Sequence, residues 1–87
     1  MNNMQETLEL VTDFIQSSED SVQMSRYANK LEEKLRSFEA AQRAISVTGN
    51  NHINLIRKKK NTILKTGRTK IFEFFGILVT EVDRIFK

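Results

Sequence analysis

The C-terminal segment decides the fold, and it reads IFEFFGILVTEVDRIF from Ile71 to Phe86. At about 100° per residue of an α-helix, most of its large apolar side chains fall within an arc of roughly 160°. The opposite side carries mainly polar residues and a glycine, and Ile77 is the main exception. The segment therefore predicts an amphipathic helix with a broad apolar stripe.

The same helical wheel extends backwards into the middle of the chain. The stripe extends to Ile53, Ile56, Leu64 and Gly67, which predicts one helix over residues 51–86. Gly67 lowers the stability of such a helix by about 1 kcal/mol relative to alanine. A break at Thr66 and Gly67 is therefore the alternative, and it gives the chain four helices.

The first half of the chain contains two further helical patterns with spacings of four and three. The first consists of Met4, Leu8, Val11 and Ile15. The second consists of Met24, Ala28, Leu31, Leu35, Phe38 and Ile45. The two registers are offset by one residue, which predicts a break, kink or stutter within residues 17–21. Helices are therefore expected at about residues 3–16 and 19–46.

Two short polar segments are candidates for helix ends. Ser17 and Asp20 resemble a capping box, with aspartate in place of the usual glutamate or glutamine. The alternative is a polar turn inside one continuous helix. The main turn is expected at residues 47–50, where Gly49 suits a helix C-cap and Asn50 or Asn51 suits the next N-cap.

These patterns predict a single all-α domain of 87 residues, folded as a long antiparallel helical hairpin. Two arms of about 50–65 Å leave much of the C-terminal stripe exposed, and a large apolar patch usually marks an interface. Dimerisation into a four-helix bundle is the simplest way to cover it. The predicted interface consists of Leu64, Ile71, Phe74, Phe75, Leu78, Val82 and Ile85.

A basic cluster is the most distinctive chemical feature, and it contains no acid. Its members are Arg57, Lys58, Lys59, Lys60, Lys65, Arg68 and Lys70. One interpretation is a surface for an anionic partner, either nucleic acid or a membrane. The favoured interpretation is packing against the acidic first half, near Glu32, Glu33 and Glu39. The basic residues point all round the helix, and no aromatic residue among them offers a platform for base stacking, so a nucleic-acid surface is possible but not favoured. Contact with a membrane surface is not expected.

Composition argues against several classes of protein. Cysteine is absent and His52 is the single histidine, which excludes disulfides and argues against a zinc site. His52 is expected to face solvent, without an acid or nucleophile spaced for a triad. We therefore predict no enzyme, no metal and no cofactor. Without a signal peptide pattern or a bilayer-length apolar segment, a cytoplasmic location is expected.

The residues Val47-Thr48-Gly49 lie between the two expected long arms. This outline resembles the helical-hairpin proteins of type VII secretion, which carry a Trp-x-Gly motif at the turn. The glycine matches and the tryptophan does not. The family's C-terminal tyrosine signal is also missing, since Ile77 and Val79 stand four residues before Glu81 and Asp83. The resemblance implies a secretion partner, and bacteriocin immunity proteins are similar in size and charge.

The leading hypothesis is a non-enzymatic helical interaction protein that self-associates and engages a partner through its C-terminal helix. The first alternative is a nucleic-acid-binding accessory protein that uses residues 57–70. The second is a partner of type VII secretion or a toxin immunity factor.

Overall fold

The computed structural model describes residues 3–41, 47–66 and 71–86. A 3-10 turn at Ser17–Glu19 separates the first two helices. The described residues form four α-helices: α1 (Asn3–Gln16), α2 (Ser21–Ala41), α3 (Val47–Thr66) and α4 (Ile71–Ile85). The predicted all-α class is confirmed.

The helices pack in a ring, in which each one contacts the helices before and after it and α4 also contacts α1. Lys34, late in α2, lies 2.6 Å from Glu6, early in α1. His52, early in α3, contacts Glu81, late in α4. Such contacts make neighbouring helices antiparallel, as in an up-and-down bundle.

The long hairpin expected from the sequence differs from this arrangement. The longest dimension of the chain is 38 Å. An unbroken helix over residues 51–86 would measure about 54 Å at 1.5 Å per residue. The structure instead ends α3 at Thr66 and begins α4 at Ile71, as in the four-helix alternative, while Gly67 lies outside the described residues. A single chain thus contributes all four helices of this bundle.

Asp20, not Ser17, caps the second helix. Its backbone is extended, with φ −124° and ψ 105°. Its carboxylate accepts hydrogen bonds from the backbone N–H groups of Val22 and Gln23 at 2.9 and 3.2 Å. The Ser17 hydroxyl donates instead to the carbonyl of Phe14 at 2.8 Å. The break lies within residues 17–21, but the acid is the N-cap because its oxygen reaches the unsatisfied N–H groups of the first turn.

The segment predicted as the main turn, residues 47–50, forms the first turn of α3. Gly49 therefore lies inside a helix and does not cap α2. Glycine inside a helix lowers the stability of that helix by about 1 kcal/mol relative to alanine. Tertiary packing of an amphipathic helix readily outweighs this cost. Ile45, predicted as part of the second stripe, lies outside the described residues.

The core consists of apolar side chains from all four helices. At the centre of the bundle, α3 buries Ile53, Ile56 and Ile63, and α4 buries Ile71, Leu78 and Val82. The remaining buried apolar residues come from α1 and α2: Val11, Phe14, Ile15, Met24, Ala28, Leu31, Leu35 and Phe38. Full burial of one large apolar side chain stabilises a fold by roughly 1.5–3 kcal/mol. The bundle therefore has a continuous core of its own.

Candidate interaction surfaces

The residues predicted to form a self-association interface lie mostly in or against this core. Three are fully buried within the chain: Ile71, Leu78 and Val82. Three more are partly buried against them: Phe74, Phe75 and Ile85. Leu64 differs, because 40% of its surface is exposed. Since α1 and α3 both pack against α4, they cover most of the stripe that the hairpin hypothesis left open.

The outer side of α4 carries an exposed phenylalanine that is not among the interface residues predicted from the sequence. Phe72 is 76% exposed. One turn later, a Cβ built on Gly76 meets nothing within 4 Å. After a further turn, the Thr80 hydroxyl donates to the Gly76 carbonyl at 2.8 Å. We call these three residues the Phe72 face. Phe72 lies at the edge of the arc of roughly 160° that contains the apolar side chains of α4. This position is the one feature of the sequence that indicates incomplete burial.

A network of ion pairs joins α2 to α3. The Arg57 guanidinium donates to both Glu32 oxygens at 2.9 and 3.0 Å and also to Glu39. The Lys60 ammonium donates to Glu32 at 2.6 Å. Lys60 is only 4% exposed, so its charge lies among the core residues. The arrangement matches the interpretation in which the basic segment packs against the acidic first half.

The network holds its carboxylates in the ionised form. Burial raises the pKa of Glu32, but hydrogen bonds from Arg57 and Lys60 outweigh it and lower that pKa to about 2. The hydrogen bond from Arg57 also lowers the pKa of Glu39. In return, Glu39 and Glu32 raise the pKa of Arg57. Charge-assisted bonds of this kind are about twice as strong as neutral ones.

The other basic residues have different surroundings. The Lys59 ammonium lies 5.0 Å from the centre of the Phe74 ring, in a cation–π contact. Lys58 and Lys65 are exposed, and neither ammonium forms an ion pair with an acid in the described residues. Arg68 and Lys70 lie outside the described residues. Of the described cluster, only Lys58 and Lys65 therefore present a free ammonium to solvent.

The sequence predicts that His52 faces solvent without an acidic partner, and the structure corrects this prediction. Its Nδ1 lies 2.5 Å from a carboxylate oxygen of Glu81, which is only 5% exposed. Arg84 donates to the other oxygen at 3.1 Å. His52 and Glu81 are 29 positions apart, so no short sequence motif indicates their contact. Within the described ranges, no group of three or more metal-binding side chains comes together.

Comparison with protein-family models, curated proteins and solved structures found no match. The turn glycine that supports the resemblance to type VII secretion proteins, Gly49, lies within α3. None of the described helices combines the length and apolar character needed to cross a membrane. Functional inference therefore depends on the surfaces of the bundle itself.

Proposed function

We propose that this protein is a non-enzymatic helical interaction protein that self-associates through the Phe72 face of α4. The observation that carries the proposal is the exposed fraction of Phe72, 76%, which is the largest among the five exposed large apolar side chains of the described residues. Exposed aromatic side chains such as phenylalanine are enriched at protein interfaces.

The shape of the Phe72 face fits a second copy of the same face. In a two-fold symmetric dimer, each residue of one copy meets its counterpart in the other. If two α4 helices cross antiparallel near residue 74, Phe72 of each copy lies over Gly76 of the other. The open space beside Gly76 then receives the protruding ring, as a knob enters a hole. This pairing leaves Ile71, Leu78 and Val82 inside their own bundle, in contrast to the interface first expected from the sequence.

The expected affinity is low. Burial of one phenylalanine contributes roughly 1.5–3 kcal/mol. Association costs about 4–15 kcal/mol in lost translational and rotational freedom. Two phenylalanines therefore offset only the lower part of that cost. We therefore expect at most a weak, reversible dimer with a Kd of about 1 mM, which requires further contacts between the two α4 helices besides the two rings.

Sedimentation velocity over a concentration series tests the proposal. The wild-type sedimentation coefficient should rise with concentration, whereas Phe72→Ser should remain monomeric. The matched control is Val22→Ser, which removes a 61% exposed apolar residue from α2 and should associate as the wild type does. Both variants should keep the helical circular-dichroism spectrum, because neither residue belongs to the core. A wild-type protein that stays monomeric up to about 1 mM would contradict self-association.

A further inference from the structure

The outer edge of α3 carries an uninterrupted row of polar hydrogen-bond donors. Its members are Asn51, Asn54, Lys58, Asn61 and Lys65, and all five are exposed. Their spacings of three and four residues place them along one side of the helix. Each side chain carries N–H donors and none is a carboxylate, so the row, which we call the α3 ridge, presents donors and positive charge without any negative charge.

The charges beside the ridge do not cancel it. Glu32 and Glu39 lie on the neighbouring helix, but Arg57 and Lys60 already occupy their oxygens. Arg57 also donates to the side-chain oxygen of Asn54 at 3.0 Å. That contact uses the acceptor of the amide and leaves its NH₂ group to donate outwards. The ridge therefore keeps both its ammonium groups and its amide donors for a ligand.

We propose that the α3 ridge binds the phosphate backbone of a nucleic-acid duplex, with α3 lying along a groove. Lys58 and Lys65 are seven residues apart, which corresponds to about 10 Å along the helix axis. Successive phosphates of one strand rise about 3.4 Å along the duplex axis, so the two ammonium groups span about three phosphate steps. An exposed α-helix fits the major groove of B-form DNA, and asparagine amides there hydrogen-bond adenine edges or phosphates.

The composition of the ridge favours a duplex over the other anionic partners. A membrane-surface helix inserts an apolar face into the lipid, but the apolar face of α3 is buried in the core through Ile53, Ile56 and Ile63. Single strands are held mainly by aromatic side chains that stack on bases, and the ridge contains none. Amide and ammonium donors in a row match the regularly spaced oxygens of a duplex.

Fluorescence anisotropy with a short labelled DNA duplex, measured over a salt series, tests the proposal on the intact chain. Each phosphate contact should weaken binding about 3.5-fold for a fourfold increase in salt, and two contacts about 12-fold. The double variant Lys58→Gln/Lys65→Gln should bind more weakly and should lower the slope of log affinity against log salt by about 2.

The matched control carries the same loss of charge on another helix. Arg26→Gln/Lys30→Gln removes two exposed cations from α2 and should retain most of the wild-type salt slope. Asn61→Asp provides an isosteric test, because it adds a negative charge to the ridge without changing its size. That variant should weaken duplex binding while its circular-dichroism spectrum stays unchanged.

Three results would overturn the proposal. The first is the absence of duplex binding by the wild type at the lowest salt. The second is an equal loss of affinity in the α2 control, which would assign binding to net charge rather than to the ridge. The third is binding to phosphatidylserine vesicles in place of the duplex, which would assign the cationic surface to a membrane.

Discussion

Helix α3 buries a lysine, whereas helix α4 exposes a phenylalanine. Lys60 is 4% exposed and Phe72 is 76% exposed, although their intrinsic hydrophobicities predict the opposite order. The difference follows from position and partners. Lys60 lies on the inward side of α3 beside Glu32, which neutralises its charge. Phe72 lies on the outward side of α4, where neither neighbouring helix covers it. Helical phase and available partners thus decide burial here, and side-chain type alone does not.

The largest expected effect comes from removing the partner of the buried lysine. Glu32→Ala leaves the ammonium of Lys60 in the core without its carboxylate and also takes an acceptor from Arg57. Breaking a buried pair in this way typically costs about 3–5 kcal/mol. Urea unfolding measures the loss. The control is Glu33→Ala, an exposed neighbour that should change stability by less than about 0.5 kcal/mol. Equal stabilities of the two variants would contradict the assigned role of Glu32.

Acid should weaken the same network. The folded-state pKa of Glu32, about 2, lies below its ordinary value of 4.5. Its ionised form therefore stabilises the fold above about pH 4.5, and this contribution is lost as pH falls towards 2. The contribution is smaller than the full shift at about 1.36 kcal/mol per pKa unit, because solvent partly screens Glu32. Denaturant unfolding at a series of pH values should show a smaller acid loss in Glu32→Gln than in the wild type. Parallel pH profiles for the two proteins would exclude this linkage.

An intermediate effect is expected at the centre of the Phe72 face. Gly76→Ala should raise the stability of the monomer by up to about 1 kcal/mol, because alanine favours the helix and the added methyl group meets open space. A change of 1 kcal/mol corresponds to a rise in Tm of about 4–8 °C for a domain of this size. The same methyl group fills the space proposed for the partner's ring, so self-association should weaken. Stronger self-association in Gly76→Ala would contradict the pairing of Phe72 with Gly76.

The smallest effect is expected at Lys58, which is exposed, whereas Lys60 is buried on the other side of α3. Lys58→Ala should change the free energy of unfolding by less than about 0.5 kcal/mol, since its ammonium has no ion-pair partner among the described acids. Lys60→Ala should cost several times more, because it leaves Glu32 short of a donor and opens space in the core. Chemical denaturation of the two variants compares the same substitution on two sides of α3. Similar losses would show that position on the helix does not separate them.

Leu64 shows where the stripe expected from a continuous helix divides between two helices. Leu64 stands seven residues before Ile71, so a continuous helix would place both on nearly the same side. The end of α3 at Thr66 removes that continuity. As a result α3 buries Ile63 and leaves Leu64 40% exposed. The sequence predicts which residues share a face within each helix. The rotation of one helix relative to the next depends instead on the connection between them.

The sequence by itself determined the all-α class, the inward stripes of α1 and α2 and the break within residues 17–21. These features are local, since amphipathic spacing and helix ends depend on residues a few positions apart. Only the tertiary structure decided which groups meet across helices. The pairing of His52 with Glu81, the burial of Lys60 beside Glu32 and the exposure of Phe72 each require the chain to reverse direction. Contacts of this kind join distant positions, and their energies depend on burial and geometry that no short segment contains.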